Sequence, residues 1–237
     1  MHAAGMRSDI LMTYPRVPAD RVYVIHNGID AVQYTPDRGR DVLDRYGIDP
    51  GQPSVAFVGR VTRQKGLQVL LRAAERLAPE AQLVLCAGQA DTPELQAEVS
   101  GLVDHLRATR SGVVWLPGML EKAEVIQILS HATVFACPSL YEPLGIVNLE
   151  AMACGTAVVA SAVGGIPEVV ADGTTGLLVP PGNEHALADA INSLIADPAR
   201  AAELGARGRA RAVAEFSWDS IAAQTAGLYQ SLQHGPR

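Results

Sequence analysis

The sequence contains very little lysine. Only Lys65 and Lys122 occur among its 19 basic residues, and all the others are arginine. Arginine is a planar fork and lysine is a compact point charge, so the two are not equivalent at a phosphate. A lysine close to Arg60 and Arg63 in so lysine-poor a chain is therefore a candidate for a specific role.

Long apolar runs and an excess of positive charge are also absent. No apolar run approaches the roughly 18 residues that a membrane-spanning helix needs, and the first residues lack the apolar stretch of a signal peptide. The net charge of −6 and the pI near 5.5 argue against a general nucleic-acid-binding protein, which usually carries a basic face. We therefore expect a cytoplasmic protein that neither spans a membrane nor binds nucleic acid.

Cysteine is scarce as well, with only Cys86, Cys137 and Cys154 in the chain. All three lie in apolar segments, none forms a CxxC pair, and their number is odd. This distribution is typical of reduced core thiols in a cytosolic protein, and it favours neither a disulfide framework nor a metal site.

Short apolar runs alternate with stretches of helical periodicity along the chain. This alternation is typical of a parallel sheet whose two faces are covered by helices. We predict an α/β fold with a doubly wound, Rossmann-like parallel sheet of about six strands. Strands are predicted at residues 21–25, 54–58, 82–86, 113–116, 134–137, 157–160 and 177–179. Helices are predicted at residues 66–77, 93–107, 122–131, 145–153, 167–170, 184–196, 199–215 and 218–232.

The first 20 residues do not resemble the start of a domain. Residues 6–11 have the character of the last turns of a helix, and a loop with two prolines follows at 14–18. We therefore expect residues 1–20 to be a tail from an upstream domain or linker. Residues 21–237 are expected to form the domain itself.

A glycine followed by two cations lies between a predicted strand and a predicted helix. Gly59 permits a close backbone approach, and Arg60 and Lys65 place positive charge near a helix N-terminus, where free amides already favour anions. Glycine follows Lys65, so this is not a Walker loop, and no GxGxxG occurs to indicate a nicotinamide or flavin site. The segment predicts a diphosphate site, with a solvated basic turn as the alternative.

Two carboxylates, Glu142 and Glu150, flank a predicted strand-to-helix turn that contains Gly145. Open α/β sheets bind ligands at such junctions, beyond the carboxyl ends of their strands. Two carboxylates there can accept hydrogen bonds from several hydroxyls, which indicates a sugar or a ribose. The alternative is a charged loop and one helix-face glutamate, but Glu150 lies among apolar positions, where an unpaired carboxylate is uncommon.

A glycine-rich run at Gly164 and Gly165 is more ambiguous. A tight turn and a close approach of another backbone explain these glycines equally well. Glu168, a few residues further on, is more often a first-turn helix carboxylate than a ligand group. The Asn27-Gly28 pair is in the first place a turn signal.

Together, Gly59-Arg60, Lys65-Gly66, the E-x7-E pair Glu142 and Glu150, and the run Gly164–Glu168 resemble the C-terminal half of a retaining GT-B glycosyltransferase of family GT4. The resemblance covers about residues 21–232. Residues 62–66 and 141–156 are most similar to the actinobacterial glycogen synthase branch. That branch includes enzymes that join ADP-glucose to glucose 1-phosphate, giving α-maltose 1-phosphate.

The resemblance implies three catalytic residues, Arg60, Lys65 and Glu142. Arg60 and Lys65, next to Gly59, would bind the donor diphosphate and stabilise charge on the leaving nucleotide. Glu142 would hold hydroxyls of the donor glucose. No metal and no other cofactor is implied, because the two cations supply the electrostatic stabilisation.

The resemblance also implies five further donor contacts. Leu144 and Gly145 would offer backbone amides to the sugar and the phosphate, and Glu150 would accept hydrogen bonds from the ribose. The base would lie against the segment that contains Leu116 and Met119.

A GT-B enzyme works in the cleft between two domains, and the resemblance extends to only one of them. It implies that this chain binds a nucleotide sugar but needs its N-terminal domain for transfer, with a sugar phosphate or a glucan chain end as acceptor. Two alternatives remain open. One is another GT4 transferase that uses a UDP- or GDP-sugar to make a sucrose, glycolipid or inositol-linked product. The other is a stand-alone nucleotide-binding module.

Overall fold

Strands and helices alternate along residues 3–234, which are the residues described by the computed structural model. The six strands in this range are β1 (Ser54–Val61), β2 (Gln82–Ala90), β3 (Val113–Leu116), β4 (Val134–Cys137), β5 (Ala157–Ser161) and β6 (Gly176–Val179). The helices are α1 (Ala3–Thr13), α2 (Asp41–Tyr46), α3 (Leu67–Ala73), α4 (Pro93–Thr109), α5 (Lys122–His131), α6 (Ile146–Ala153), α7 (Ile166–Val169), α8 (Glu184–Ile195), α9 (Pro198–Phe216) and α10 (Trp218–His234).

All strand pairs of the sheet are parallel, in the order β3-β2-β1-β4-β5-β6. This confirms the predicted doubly wound fold. The chain moves outward from β1 to β3, then returns to place β4 on the other side of β1. The loops that leave β1 and β4 therefore diverge from a topological switch point, which is where open α/β sheets bind their ligands.

Apolar side chains pack against both faces of the sheet, in one cluster on each face. Val55 and Phe57 of β1 face α3, α4 and α8, while Ala56 between them faces the side of α5 and α6. Successive side chains of a strand point to opposite faces, so a strand covered on both sides is apolar throughout. This explains the continuous apolar runs of the sequence.

The predicted strand at residues 21–25 is wrong. Residues 19–21 form a 3-10 turn, and residues 22–28 are irregular until Ile29 makes a single bridge with Ser217. An apolar run becomes a strand only when another strand lies beside it, and both edges of the described sheet, β3 and β6, are formed by other segments. Val24 and Ile25 instead line a cavity of about 310 Å³ together with Leu144.

Several predicted boundaries also shift. β1 continues to Val61, so Arg60 lies on the strand, and α6 begins one residue later than predicted, after Gly145. The predicted helix at 66–77 is divided into α3 and a 3-10 turn at Ala74–Arg76, and the short helix α2 was not predicted. α1 agrees with helical character at residues 6–11, while the limits proposed for the tail and the domain stay predictions. Residues 1–2 and 235–237, which those limits include, lie outside the described range.

The three cysteines are buried and unbridged, which agrees with core thiols. Burial raises the pKa of Cys86 and of Cys154 to about 12 and also raises the pKa of Cys137. Because the thiolate is the reactive form, we expect the folded chain to resist iodoacetamide at pH 8. Mass spectrometry should find all three thiols alkylated in denaturant. Rapid alkylation of the folded chain would contradict this burial.

Candidate functional site

The loop after β1 is held against the loop after β4. The side chain of Thr62 accepts a hydrogen bond from the amide of Lys65 (3.2 Å) and so starts a 3-10 turn. Gly66 ends this turn with a φ of 67°, and a Cβ on it would overlap the carbonyl oxygen of Pro138. Glycine is required here because the two backbones touch.

Lys65 and Glu142 form an ion pair in this structure. The Nζ atom of Lys65 lies 2.6 Å from Oε2 of Glu142, and Glu142 is 7% exposed. The hydroxyl of Ser139 also donates to Oε2 (3.4 Å). The resemblance implied separate roles for the two charges, one at the diphosphate and one at the sugar, and the fold brings them into direct contact.

Arg60 is exposed at the carboxyl end of β1. Within residues 3–234 its guanidinium forms no ion pair, unlike the ammonium of Lys65. At Gly59, a Cβ would meet only the ring of Phe57, at 3.5 Å, so a ligand rather than the protein has room to approach there. Within residues 3–234, the end of β1 and the loop after it thus carry Arg60 without an ion pair, Lys65 paired with Glu142, and Arg63 paired with Glu98 (3.2 Å).

Gly164 and Gly165 support the loop that carries Glu142. A Cβ on Gly164 would overlap the carbonyl oxygen of Glu142, and one on Gly165 would overlap that of Pro143. The amide of Gly165 donates to the Glu142 carbonyl oxygen (2.9 Å). The structure supports both explanations left open by the sequence, because Gly164 lies in a turn with a φ of 58° and both glycines closely approach another backbone.

The start of α6 faces the same region. Gly145 adopts a left-handed conformation (φ 85°) and precedes the first helical residue, Ile146. The first amides of a helix have no intrahelical acceptor and carry a partial positive charge that favours anions. The backbone that was predicted to offer amides to a ligand, at Leu144 and Gly145, therefore lies beside the Lys65–Glu142 pair.

Glu150 lies further along α6 and has a partner that the sequence analysis missed. The hydroxyl of Tyr34 donates to its Oε1 (3.0 Å). Burial raises the pKa of Glu150, against the opposing effects of this hydrogen bond and of the positive charge on Lys122. Burial and the neighbouring Glu150 charge raise the pKa of Tyr34 as well. No sequence signal linked Tyr34 to a residue 116 positions away.

Asn148, between the two glutamates, was also missed. It is fully buried, and within residues 3–234 neither polar atom of its side chain has a hydrogen-bond partner. Its Nδ2 lies close to the position that a Cβ on Gly145 would occupy, as does Cγ of Glu142. Buried polar groups without partners are rare in proteins, and this one lies at the centre of the candidate site.

The segment expected to contact a base forms the exposed loop after β3. Met119 is fully exposed, whereas the side chain of Leu116 is buried in the core, so only the backbone of Leu116 is available to a ligand. A cavity of about 530 Å³ lies beside this loop and is lined by residues 88–93, Gln96, Trp115 and Pro117.

Glu168 lies in the first turn of α7, as expected, and contacts the segment before β1. Its Oε2 lies 2.7 Å from Nε2 of His26, and its carbonyl oxygen accepts a hydrogen bond from Arg211 (2.9 Å). The contact with His26 connects the irregular segment at 22–28 to the body of the domain, and the contact with Arg211 joins α7 to α9.

Two kinds of feature are absent from the described residues. In residues 3–234, no group of three or more histidine, cysteine, aspartate or glutamate side chains has a geometry that could hold a metal ion. The same range contains no helix that is both long enough and apolar enough to cross a membrane.

A switch point flanked by cations and carboxylates is typical of a ligand-binding Rossmann-like domain, and comparison with known families identifies the group. The model for "Glycosyl transferases group 1" matches residues 41–211, so the chain belongs to that family. It is 56% identical over 239 residues to the alpha-maltose-1-phosphate synthase of Mycolicibacterium smegmatis, covering 97% of this chain and 62% of that enzyme. It is 37% identical to the D-inositol 3-phosphate glycosyltransferase of Xylanimonas cellulosilytica, covering 89% of this chain and 51% of that enzyme.

Solved structures agree with this assignment. Sucrose-phosphate synthase from Thermosynechococcus elongatus matches with a TM-score of 0.81 at 35% identity, over 98% of this chain and 57% of that protein. Anabaena HepE, solved with UDP and glucose, matches with a TM-score of 0.82 at 26% identity, over 97% of this chain and 62% of that protein. The chain thus spans at most 62% of the length of these relatives.

Proposed function

We propose that this chain is the donor-binding domain of a retaining glucosyltransferase of the alpha-maltose-1-phosphate synthase type. The complete enzyme would transfer glucose from ADP-glucose to form an α-1,4 linkage, in the cytoplasm. The observation that carries the proposal is the Lys65–Glu142 ion pair beside the start of α6, with Arg60 at the end of β1, at the switch point between β1 and β4. The 56% identity to a synthase of this type supports the choice of donor and product.

The diphosphate would lie between the end of β1 and the start of α6. Arg60 and Lys65 would neutralise it from one side, and the amides at Gly145 and Ile146 would do so from the other. Preorganised charges of this kind stabilise the leaving group without any metal ion. Lys65 already contacts Glu142, so diphosphate and glucose would be bound by two ends of one ion pair.

Glucose and ribose would be held by the two glutamates. Glu142 would accept hydrogen bonds from glucose hydroxyls, while Glu150, in the second turn of α6, would accept them from the ribose. The base would extend towards the loop of Met119. Glu142 would orient the sugar and would not be a nucleophile, so the carboxylate-pair geometry of glycosidases does not apply.

Bond exchange would occur on one face of the sugar. The bond between the anomeric carbon and the phosphate oxygen would break, and a new bond would form to the acceptor oxygen. The acceptor proton would pass to the departing phosphate oxygen. Because positioning supplies much of the rate of such a transfer, we expect this chain to need its N-terminal domain, which would supply the acceptor site for glucose 1-phosphate or a glucan end.

Calorimetric titration with ADP, UDP and GDP tests the proposal. We expect ADP to bind most tightly, and Arg60→Ala to weaken ADP binding about tenfold, as expected for loss of one charged hydrogen bond. Arg76→Ala is the matched control, because Arg76 is also exposed but follows the far end of α3. Failure of all three nucleotides to bind at millimolar concentration, with no effect of Arg60→Ala, would overturn the proposal.

A second candidate is a related transferase with a different donor. The 37% identity to an inositol phosphate glycosyltransferase and the likeness to a protein solved with UDP favour it over a stand-alone binding module. Preference for UDP or GDP over ADP in the same titration would select this candidate.

A further inference from the structure

Tyr34 connects the segment before β1 to the helix that carries Glu150. Its hydroxyl donates to Oε1 of Glu150 at 3.0 Å, and its ring is 8% exposed in the core. Within residues 3–234 the second oxygen of Glu150, Oε2, has no hydrogen-bond partner. The carboxylate is therefore held on one side and open on the other.

Arg209 of α9 fixes the backbone of this tyrosine. Its guanidinium donates to the carbonyl oxygens of Tyr34 (3.4 Å) and Ala153 and to the hydroxyl of Thr35 (3.0 Å). Ala153 is the last residue of α6, the helix that carries Glu150. One arginine thus ties the backbone of the tyrosine to the end of the glutamate helix, which fixes the positions from which the phenol and the carboxylate reach each other.

A glutamate on a helix has three side-chain torsions, and fixing them costs conformational entropy. A hydrogen bond to one carboxylate oxygen in the free protein removes part of that cost before a ligand arrives. Preorganisation of this kind increases affinity only for a ligand that uses the oriented group. For Glu150, such a ligand is one with hydroxyl groups.

We infer that Tyr34 is a positioning residue for Glu150, fixing its carboxylate so that Oε2 accepts hydrogen bonds from the ribose hydroxyls of the nucleotide. This inference rests on the proposed function. It makes Tyr34 a determinant of selectivity for ribonucleotides over nucleotides without ribose hydroxyls, although Tyr34 itself touches no ligand.

The test compares ADP with 2′,3′-dideoxy-ADP on the Tyr34→Phe variant. Phenylalanine keeps the buried ring and removes only the hydroxyl. By calorimetry, we expect wild type to bind ADP about tenfold more tightly than dideoxy-ADP, from hydrogen bonds to a charged group. Tyr34→Phe should weaken ADP binding about threefold to tenfold and leave dideoxy-ADP binding unchanged. Glu150→Gln should also reduce the preference for ADP over dideoxy-ADP. The double variant Tyr34→Phe/Glu150→Gln should lose no more of this preference than Glu150→Gln alone.

Tyr46→Phe is the matched control. Tyr46 also donates to a glutamate, Glu124, at 3.0 Å, but it joins α2 to α5. We expect this variant to keep the wild-type ratio of ADP to dideoxy-ADP affinity.

Three outcomes would overturn the inference in different ways. Equal weakening of both nucleotides by Tyr34→Phe would show that Tyr34 supports the fold only. No change in the affinity for either nucleotide would show that Glu150 does not need the hydroxyl of Tyr34. Absence of ADP binding by wild type would remove the proposed function together with the inference, whereas the first two outcomes leave the proposed function intact.

Discussion

Replacement of Lys65 by methionine is expected to lower the free energy of unfolding by about 3 kcal/mol and to weaken ADP binding at least tenfold. Removing one partner of a buried ion pair leaves the other charge without compensation, which costs about 3–5 kcal/mol. Glu142 is 7% exposed and its Oε2 lies 2.6 Å from the lysine Nζ atom, so within residues 3–234 it would keep only the long hydrogen bond from the Ser139 hydroxyl (3.4 Å) as a side-chain contact to that oxygen. Denaturant unfolding measures the first effect, and calorimetry measures the second.

The double variant Lys65→Met/Glu142→Gln separates charge from packing. Since it removes both charges, we expect it to recover most of the stability lost in Lys65→Met while nucleotide binding stays weak. Lys122→Met, which replaces the other lysine of the sequence, is the control for the effect on stability. Lys122 is exposed, so this change should alter the free energy of unfolding by less than about 0.5 kcal/mol. Wild-type stability in Lys65→Met would contradict the importance of the pair.

Replacement of Gly164 by alanine should destabilise the chain by more than about 3 kcal/mol, above the cost of its left-handed conformation alone. The added methyl group would overlap the carbonyl oxygen of Glu142. Neither backbone can yield without moving the carboxylate that pairs with Lys65, so nucleotide binding should weaken as well. Denaturant unfolding and ADP titration together measure these effects.

Gly173→Ala is the matched control for conformation. Gly173 also has a positive φ, of 69°, but no atom lies within 4 Å of the position that its Cβ would take. We expect it to lose only about 1–2 kcal/mol, the cost of placing an L-residue in the left-handed region. Equal losses of stability in the two variants would show that the close approach of Gly164 to Glu142 does not contribute to the cost of Gly164→Ala.

Local patterns in the sequence were sufficient to predict the sheet. Six of the seven predicted strands exist, because a short apolar run between two helices of a doubly wound fold is stable as a strand of the central sheet. The failure at residues 21–25 has the same basis. Strand propensity there is real, but a strand also needs a neighbour, and the neighbour is a property of the whole fold.

Candidate site residues could be selected from the sequence because each follows a strand. Arg60 lies at the carboxyl end of β1, Lys65 follows β1 and Glu142 follows β4, and parallel strands carry their carboxyl ends to one edge of the sheet. The residue types and spacings were therefore informative before any contact was known. The same argument could not select Tyr34, because it precedes the sheet in an irregular segment.

The sequence by itself determined the alternation of strands and helices and the chemical character of the loops, since both depend on residues close together in the chain. Tertiary structure alone decided which of those groups touch. Lys65 meets Glu142 across 77 positions, and Tyr34 meets Glu150 across 116. Such pairs form because the return of the chain from β3 to β4 brings distant loops to one edge of the sheet, and no local pattern records which side chains will then be neighbours.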